Sequence, residues 1–276
     1  MKTNIFHLQI VSINDILPQE TFDISRAKKL ALQIKSDGQL TNPIIVAGIG
    51  KNKFIQLDGA NRLQAMQLLA FNSIVCQIVD YQDMDNVELA SWLHLVKINA
   101  QNILETVKSI IPLVITDGKI KQVRNRFIQS EGTEPICLLV SPDLKVKKVV
   151  FKGGLTEKVE ALNKIVSVYQ ETIIRDVLPL QASRDDLIFL FKVHPECQTM
   201  VVFPIFTRHQ IIKVIKKGGF FPAGITRHVI KKRCLNINLP LEVFGKGSVE
   251  EQNRILDQIL EKRRFRLYEE PTIYFE

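Results

Sequence analysis

The stretch Leu57-Asp58-Gly59-Ala60-Asn61-Arg62-Leu63 says more about the architecture of this chain than any other part of its sequence. The alternating residues 53–57 predict a strand, and the apolar periodicity of residues 61–70 predicts a helix. Where a strand turns directly into a helix, the first N–H groups of the helix lack intrahelical partners and are able to bind an anion. The stretch therefore predicts either a phosphate site or an ordinary corner at which Asp58 caps the helix.

The side chains of this stretch suit a phosphate ligand. The guanidinium of Arg62 adds positive charge at the start of the helix, and Gly59 lets the backbone approach a phosphate closely. Asp58 stands where its carboxylate would face a metal ion or a reacting hydroxyl. No GxxxxGK[ST] sequence occurs in the chain, which excludes a P-loop kinase.

The composition is that of a globular protein with an anionic partner. The length of 276 residues predicts two compact domains, or one domain with a substantial addition, and 46% hydrophobic residues are enough for a core. The formal net charge of +8 suits either a phosphate-bearing ligand or nucleic acid. The four cysteines show no zinc-binding spacing, so we interpret them as reduced thiols of a cytoplasmic protein. Neither a signal peptide nor a membrane span is predicted, and no membrane partner is expected.

The hydrophobic pattern along the rest of the chain predicts alternating strands and helices, as in an α/β (α+β) protein. Ser25 is predicted to cap a helix that ends at Asp37-Gly38, and Thr207 to begin another helix. Residues 88–96 fit a helix and a strand equally well. Further strands are predicted at residues 235–239 and 265–275.

Glu20, Trp92 and His94 are isolated candidates for a role in chemistry. Glu20 lies in a loop between apolar neighbours, where a raised pKa would make its carboxylate a general base, although an ordinary solvated glutamate explains it as well. Trp92, the only tryptophan, is either a packing residue or the wall of a site for a small polar ligand. His94 is interpreted as structural.

A second cluster of candidate residues lies at residues 222–228, Pro-Ala-Gly-Ile-Thr-Arg-His. A turn with free N–H groups, the Thr226 hydroxyl and the forked guanidinium of Arg227 would bind a carboxylate or a phosphate. A basic surface loop that leads into Lys231-Lys232-Arg233 is the alternative interpretation.

These residues carry a resemblance to a known family. Asp58-Gly59-Ala60-Asn61-Arg62 after a strand resembles the DGxHR box of the ParB/sulfiredoxin superfamily, and Glu20, Trp92 and Thr226-Arg227 stand where its free L-serine kinases have functional residues. Residues 222–227 and 233–236 are most similar to the serine kinases of staphyloferrin B siderophore clusters. The resemblance covers residues 5–95 and 219–241. It implies a ParB/sulfiredoxin-like nucleotide-binding domain over residues 1–110 and a second α/β lobe over residues 111–276, which contributes the Thr226-Arg227 loop.

The resemblance also implies an activity, the transfer of a phosphoryl group from ATP or ADP to free L-serine with Mg²⁺ as cofactor. The product, O-phospho-L-serine, would serve the synthesis of 2,3-diaminopropionate and a siderophore, or of cysteine. Glu20 would be the base for the serine hydroxyl, and Asp58 would act at the reacting centre near the magnesium ion. The phosphates would be bound by Gly59, Ala60, Asn61 and Arg62, and the serine by Trp92, Thr226 and Arg227. Asn61 replaces the family's usual histidine and cannot carry its positive charge.

Three other functions stay open at the level of sequence. A ParB-like nucleotide- and DNA-binding transcriptional regulator would use the same box, but no helix-turn-helix is identified after it, so DNA is a partner that we do not expect. A sulfiredoxin-like reductase would need a cysteine in the box, and none lies between Asp58 and Arg62. A non-enzymatic sensor of an amino acid or a nucleotide would have the same pocket as the kinase.

Overall fold

The computed structural model describes residues 1–3, 5–124, 134–178 and 181–268. Its contacts divide the chain into two compact units. Unit 1 consists of Met1–Leu17, Asp23–Val87 and Ile230–Glu276, and unit 2 of Pro18–Phe22 and Glu88–Val229. The units are interleaved in sequence, which differs from the two consecutive ranges 1–110 and 111–276 because the chain returns to unit 1 after residue 229.

The strands and helices alternate along the chain. The strands are β1 (Leu8–Ser12), β2 (Ile16–Leu17), β3 (Gln39–Leu40), β4 (Ile44–Gly50), β5 (Lys53–Asp58), β6 (Ser73–Val79), β7 (Val87–Ser91), β8 (Leu93–Val96), β9 (Val114–Asp117), β10 (Cys137–Val140), β11 (Val146–Val150), β12 (Ile174–Asp176), β13 (Thr199–Val202), β14 (Thr226–Ile230) and β15 (Leu239–Pro240). The helices are α1 (Ile24–Asp37), α2 (Ala60–Leu68), α3 (Ala100–Lys108), α4 (Ile120–Arg124), α5 (Leu155–Ser167), α6 (Arg184–Val193), α7 (Arg208–Lys216) and α8 (Val249–Glu261), with 3₁₀ turns at Ile13–Asp15, Gln170–Thr172 and Leu241–Gly245.

Unit 1 is built on a mixed five-stranded sheet in the order β1-β6-β4-β5-β2. β4 is antiparallel to β5 and parallel to β6, so the end of β5 lies inside the sheet and its Asp58 leads directly into α2. The core combines strand residues such as Ile10 and Ile44 with Leu256 of α8. Burial of these side chains, at roughly 25 cal/mol per Å² of apolar surface, is the main force that stabilises the unit.

The described part of unit 2 contains a six-stranded sheet in the order β12-β8-β13-β10-β11-β9, in which every neighbouring pair is antiparallel. The central strands β8, β10 and β13 are buried along their whole length, and their residues are apolar except for His94 and Thr199. β7 and β14 form a separate two-stranded sheet. The ambiguous residues 88–96 thus form most of β7 and all of β8, with Trp92 between the two strands.

Several predicted element boundaries are confirmed, and some are wrong. Thr207 caps α7 through a capping box with Gln210. α1 is capped by Asp23, not by Ser25, because the Asp23 carboxylate accepts hydrogen bonds from the Ser25 and Arg26 N–H groups.

The predicted strand at residues 235–239 is wrong except at its last residue. Asn236 and Asn238 have positive φ angles of 54° and 41°, which do not fit an extended ladder. Residues 265–268 form no strand, and the remainder of the predicted strand at residues 265–275 lies outside the described residues. Within the described ranges, no helix has the length and apolar character needed to cross a membrane.

Candidate functional site

The box Asp58-Gly59-Ala60-Asn61-Arg62 forms the corner between β5 and α2, as the sequence predicts. Gly59 is the N-cap of α2 and has a left-handed backbone with φ of 94°. A β-carbon at this position would lie 2.7 Å from Cγ2 of Ile44 and 3.2 Å from Cζ of Arg62, so only glycine fits. No side chain caps α2, which leaves its first N–H groups available to an anion.

Asp58 is held by two guanidinium groups. Its Oδ2 atom accepts a hydrogen bond from Nη2 of Arg62 at 3.2 Å and another from Nη2 of Arg233. Nη1 of Arg62 also donates to the carbonyl of Pro43, which fixes the direction of that side chain. The corner therefore combines one carboxylate with two permanent cations and carries a net positive charge.

The two arginines keep Asp58 ionised. Burial alone would raise the pKa of the Asp58 carboxyl group, but the charges of Arg62 and Arg233 and a hydrogen bond from the Gly59 N–H group outweigh burial and lower it below its ordinary value. A carboxylate in this state is a poor proton acceptor at neutral pH and a suitable ligand for a cation.

The side chain of Asn61, in the first turn of α2, makes a hydrogen bond through its amide oxygen. Its Oδ1 atom accepts a hydrogen bond from the N–H group of Asp23 at 3.3 Å, which connects α2 to the start of α1. This contact orients the carboxamide, whose Nδ2 atom carries two N–H donors that suit an anion such as a phosphate.

Glu20 lies in unit 2, where the segment Pro18–Phe22 pairs with residues 221–226. The N–H group of Thr21 donates to the carbonyl of Phe221 at 3.0 Å, and the N–H group of Phe221 donates to the carbonyl of Gln19 at 2.9 Å. The Thr21 hydroxyl accepts a hydrogen bond from the N–H group of Ala223 at 3.0 Å. The backbone thus holds Glu20 firmly beside the turn that contains Thr226, although more than 200 residues separate the two segments.

Neutral donors surround the Glu20 carboxylate. Oε2 accepts from the N–H group of Gly224 at 2.9 Å, and Oε1 accepts from the N–H group of Thr226 at 3.3 Å and from its hydroxyl. The Thr226 hydroxyl in turn accepts a hydrogen bond from Nε2 of Gln19 at 2.5 Å. Because Gln19 occupies a lone pair of this oxygen, the proton of the Thr226 hydroxyl is directed towards Glu20.

These surroundings make Glu20 a better base than an ordinary glutamate. Burial raises the pKa of its carboxyl group, against the opposing effects of the hydrogen bonds from Gly224 and Thr226 and of the Arg175 charge. A carboxylate with a raised pKa accepts a proton more readily near neutral pH. The predicted raised pKa is therefore found here.

Arg227 and Trp92 lie beside each other in the same unit. The Cζ atom of Arg227 stands 4.9 Å from the centre of the Trp92 ring, which is a cation–π contact. The backbone N–H group of Trp92 donates to the carbonyl of Ile225 at 3.2 Å. Both side chains are partly exposed, whereas Thr226 is buried. The stack orients the guanidinium, and its forked N–H donors are of the kind that bind an acid group.

The structure therefore gathers the predicted residues into two groups. Asp58, Gly59, Ala60, Asn61 and Arg62 form the corner in unit 1, and Glu20, Trp92, Thr226 and Arg227 form the turn in unit 2. Sequence reasoning missed Arg233 as the partner of Asp58 and Gln19 as the partner of Thr226. The signals for Arg233 were the basic cluster Lys231-Lys232-Arg233 and the family similarity at residues 233–236, and neither indicates Asp58 as its partner.

The Asp58 carboxylate could hold a magnesium ion as a single protein ligand. No group of three or more His, Cys, Asp or Glu side chains with metal-binding geometry occurs among the residues that the structure describes. Magnesium in nucleotide sites is typically held by one or two carboxylates, substrate phosphates and water. Asp58 as a single ionised carboxylate beside a phosphate-binding helix start fits that donor set.

Comparisons with known proteins agree with this geometry. Residues 2–92 match the ParB N-terminal domain family. The chain is 24% identical over 243 residues to an ATP-dependent L-serine kinase of Staphylothermus marinus, across 84% of this chain and 89% of that protein. It is 24% identical over 262 residues to the ATP-dependent L-serine kinase SbnI of Staphylococcus aureus, across 92% of this chain and 90% of SbnI.

Solved structures share the fold. C-terminally truncated SbnI from Staphylococcus aureus matches with a TM-score of 0.69 and 21% identity, over 92% of this chain and 96% of that one. A free serine kinase in complex with AMP matches with a TM-score of 0.67 and 18% identity, over 88% and 94% of the two chains. The predicted α/β class and the predicted resemblance to the free L-serine kinases are confirmed.

Proposed function

We propose that this chain is a free L-serine kinase, which transfers a phosphoryl group from ATP or ADP to L-serine and releases O-phospho-L-serine. The observation that carries the proposal is the Glu20 carboxylate, which has a raised pKa and is held by the same turn that presents Arg227. The similarity to curated L-serine kinases over most of both chains supports it.

Glu20 is the proposed general base. Its carboxylate accepts the proton of the serine hydroxyl while the hydroxyl oxygen forms a bond to the terminal phosphorus of the nucleotide. The bond from that phosphorus to the leaving oxygen breaks, and the nucleotide departs with one phosphate fewer. Since such a transition state is loose, positioning and charge neutralisation supply most of the acceleration.

The two groups of residues divide the proposed work. In unit 2, Arg227 binds the serine carboxylate with its two parallel donors, and Trp92 orients that guanidinium. Thr226 orients Glu20 and, with Trp92, helps to hold the serine. In unit 1, the start of α2 with Gly59, Ala60, Asn61 and Arg62 binds the phosphates.

Asp58 is the proposed ligand for Mg²⁺, with Arg62 and Arg233 beside it. A bound Mg²⁺ would neutralise charge on the transferred phosphate. Asp58 itself stays ionised because of its lowered pKa, and it aligns the two arginines towards the same side of the corner. A cytoplasmic location stays a prediction from the cysteine pattern, and the use of the product for 2,3-diaminopropionate, a siderophore or cysteine stays a prediction of the resemblance.

The test is product formation by the purified protein. Phosphorus NMR and mass spectrometry of protein, L-serine, Mg²⁺ and either ATP or ADP are expected to reveal O-phospho-L-serine with at least one donor. D-serine and L-threonine serve as control acceptors, and EDTA as the control for the metal. If a folded protein forms no O-phospho-L-serine with either donor, the proposal is wrong, and DNA binding by the ParB-like alternative is then measured by fluorescence anisotropy.

A further inference from the structure

His94 is a buried histidine of β8 that contacts the turn of unit 2. Its side chain is completely inaccessible to solvent, and its Nε2 atom lies 2.7 Å from the carbonyl oxygen of Gly224. Its Nδ1 atom lies 3.4 Å from the hydroxyl of Tyr169, which is also buried. The ring packs edge-on against Phe203 with 4.8 Å between ring centres.

These two contacts define which nitrogen of His94 carries the proton. A carbonyl oxygen only accepts, so Nε2 must carry the hydrogen that it donates to Gly224. Nδ1 is then the acceptor for the Tyr169 hydroxyl. Burial lowers the pKa of His94 to about 3, and the Arg175 charge acts in the same direction, so the ring is neutral at any pH at which the protein would be assayed.

Gly224 connects this histidine to the candidate base. Its N–H group donates to Oε2 of Glu20, while its carbonyl accepts from His94. The residue has a φ angle of 76°, and a β-carbon would collide with the Arg175 side chain, so the turn accepts glycine alone. A glycine has many accessible backbone conformations, and external hydrogen bonds must select one of them.

We infer that His94 is a positioning residue, which anchors the Gly224 carbonyl so that the Gly224 N–H group stays directed at the Glu20 carboxylate. The inference rests on the proposed function, because His94 would act on the reaction only if Glu20 is the base. The relay consists of Tyr169, His94, Gly224 and Glu20, and each step is one hydrogen bond. The charge of Arg175 lowers the pKa of both Glu20 and His94.

A buried histidine that only fills the core would behave differently. Its replacement would lower stability without changing the protonation of Glu20. A positioning histidine, by contrast, changes the pH at which Glu20 loses its proton, because the Gly224 N–H group stabilises the charged carboxylate. The acid limb of the pH–rate profile separates the two roles.

The experiment compares H94F, which retains a ring and removes the donor, with H94Q, which retains an N–H donor. For H94F we expect the acid limb of kcat to move to higher pH and kcat at neutral pH to fall about tenfold, with a smaller change in the KM for serine. For H94Q we expect an acid limb close to that of the wild type. H209F, a change at an exposed histidine of α7, is the matched control and should change neither quantity.

Two outcomes would overturn the inference: a folded H94F with the wild-type acid limb, or equal shifts in H94F and H94Q. Nitrogen-15 NMR of the wild-type protein provides a test that does not depend on a variant. Protonated Nε2 is expected for His94, and protonated Nδ1 would contradict the relay. Carbon-13 titration of the Glu20 carboxyl group in wild type and H94F tests the relay without turnover. A higher pKa of Glu20 is expected in H94F and an equal pKa would contradict the relay, whether or not the protein phosphorylates serine.

Discussion

Asp58 in unit 1 and Glu20 in unit 2 are both partly buried carboxylates, but their surroundings affect them in opposite ways. Arg62 and Arg233 contact Asp58 directly, and their charges lower the pKa of its carboxyl group. Glu20 receives hydrogen bonds from neutral groups, and burial raises the pKa of its carboxyl group. Hence Glu20 becomes protonated on acidification at a pH at which Asp58 is still charged.

The partners of these two carboxylates thus determine their chemistry more than their burial does. Guanidinium groups keep Asp58 a fixed negative charge, which is useful beside phosphates and a cation. Neutral N–H and hydroxyl donors orient Glu20 while its affinity for a proton stays high. Pairs of acids whose environments separate their pKa values typically divide the roles of acid–base catalyst and electrostatic partner.

E20Q is expected to produce the largest effect. The amide preserves the shape of the side chain and removes the base, so kcat should fall by about 10²–10⁴ while nucleotide affinity stays nearly unchanged. Steady-state kinetics and nucleotide titration measure the two quantities. E171Q, at an exposed glutamate of unit 2, is the control. Near wild-type turnover in E20Q would mean that Glu20 is not the base.

R227K tests the serine side of the comparison. A lysine preserves the charge but loses the two parallel donors and the planar stacking on Trp92. The loss of one charge-assisted hydrogen bond, about 1.5–3 kcal/mol, should raise the KM for serine about ten- to a hundredfold and leave the KM for nucleotide unchanged. R184K, at an exposed arginine of α6, should change neither. A selective loss of nucleotide binding in R227K would contradict this placement of the serine.

R62K tests the phosphate side and should show the reverse pattern. Arg62 donates to both Asp58 and Pro43, and a lysine reaches only one of them with a point charge. We expect the KM for nucleotide to rise about tenfold, with the KM for serine unchanged. The exposed Arg26 provides the matched control R26K, and the melting temperature of each variant separates binding from stability. A rise confined to the KM for serine would mean that Arg62, and not Arg227, binds the serine carboxylate.

N61H should have the smallest effect. A histidine at this position restores the charge that the resemblance associates with the box, and it is protonated only at mildly acidic pH. Because an imidazolium attracts the phosphates, nucleotide binding measured by calorimetry should become about two- to fivefold tighter at pH 6 and stay unchanged at pH 8. Equal affinity at both pH values would mean that residue 61 does not face the phosphates.

The corner in unit 1 could be predicted because its signals are local. The alternating residues of β5, the glycine and the apolar period of α2 lie within one short stretch, and the structure places the elements within two residues of the predicted bounds. The predicted N-cap of α1, Ser25, was wrong, and the reason is also local. Asp23 and Ser25 are both good capping residues two positions apart, and only the geometry selects between them.

Residue pairs distant in sequence could not be predicted. The Asp58–Arg233 ion pair and the Glu20–Gly224 hydrogen bond join residues separated by 175 and 204 positions. No periodicity encodes such contacts, because they depend on how the strands are ordered. Residues 88–96 were ambiguous for a related reason, since β8 is only four residues long and buried along its whole length, so its sequence shows no clear separation into a polar and an apolar face.

The interleaving of the two units has a consequence for synthesis on the ribosome. Asn253 of α8 donates to and accepts from the backbone of Ile10 in β1, both at 2.8 Å, so unit 1 is incomplete until α8 has been translated. The ribosome must first translate all of Glu88–Val229. At about 5–20 residues per second, translation of this segment takes roughly seven to thirty seconds. Unit 2 therefore has all of its residues before unit 1 does, and β1, whose neighbouring strand β6 is translated early, still waits for its contact with α8.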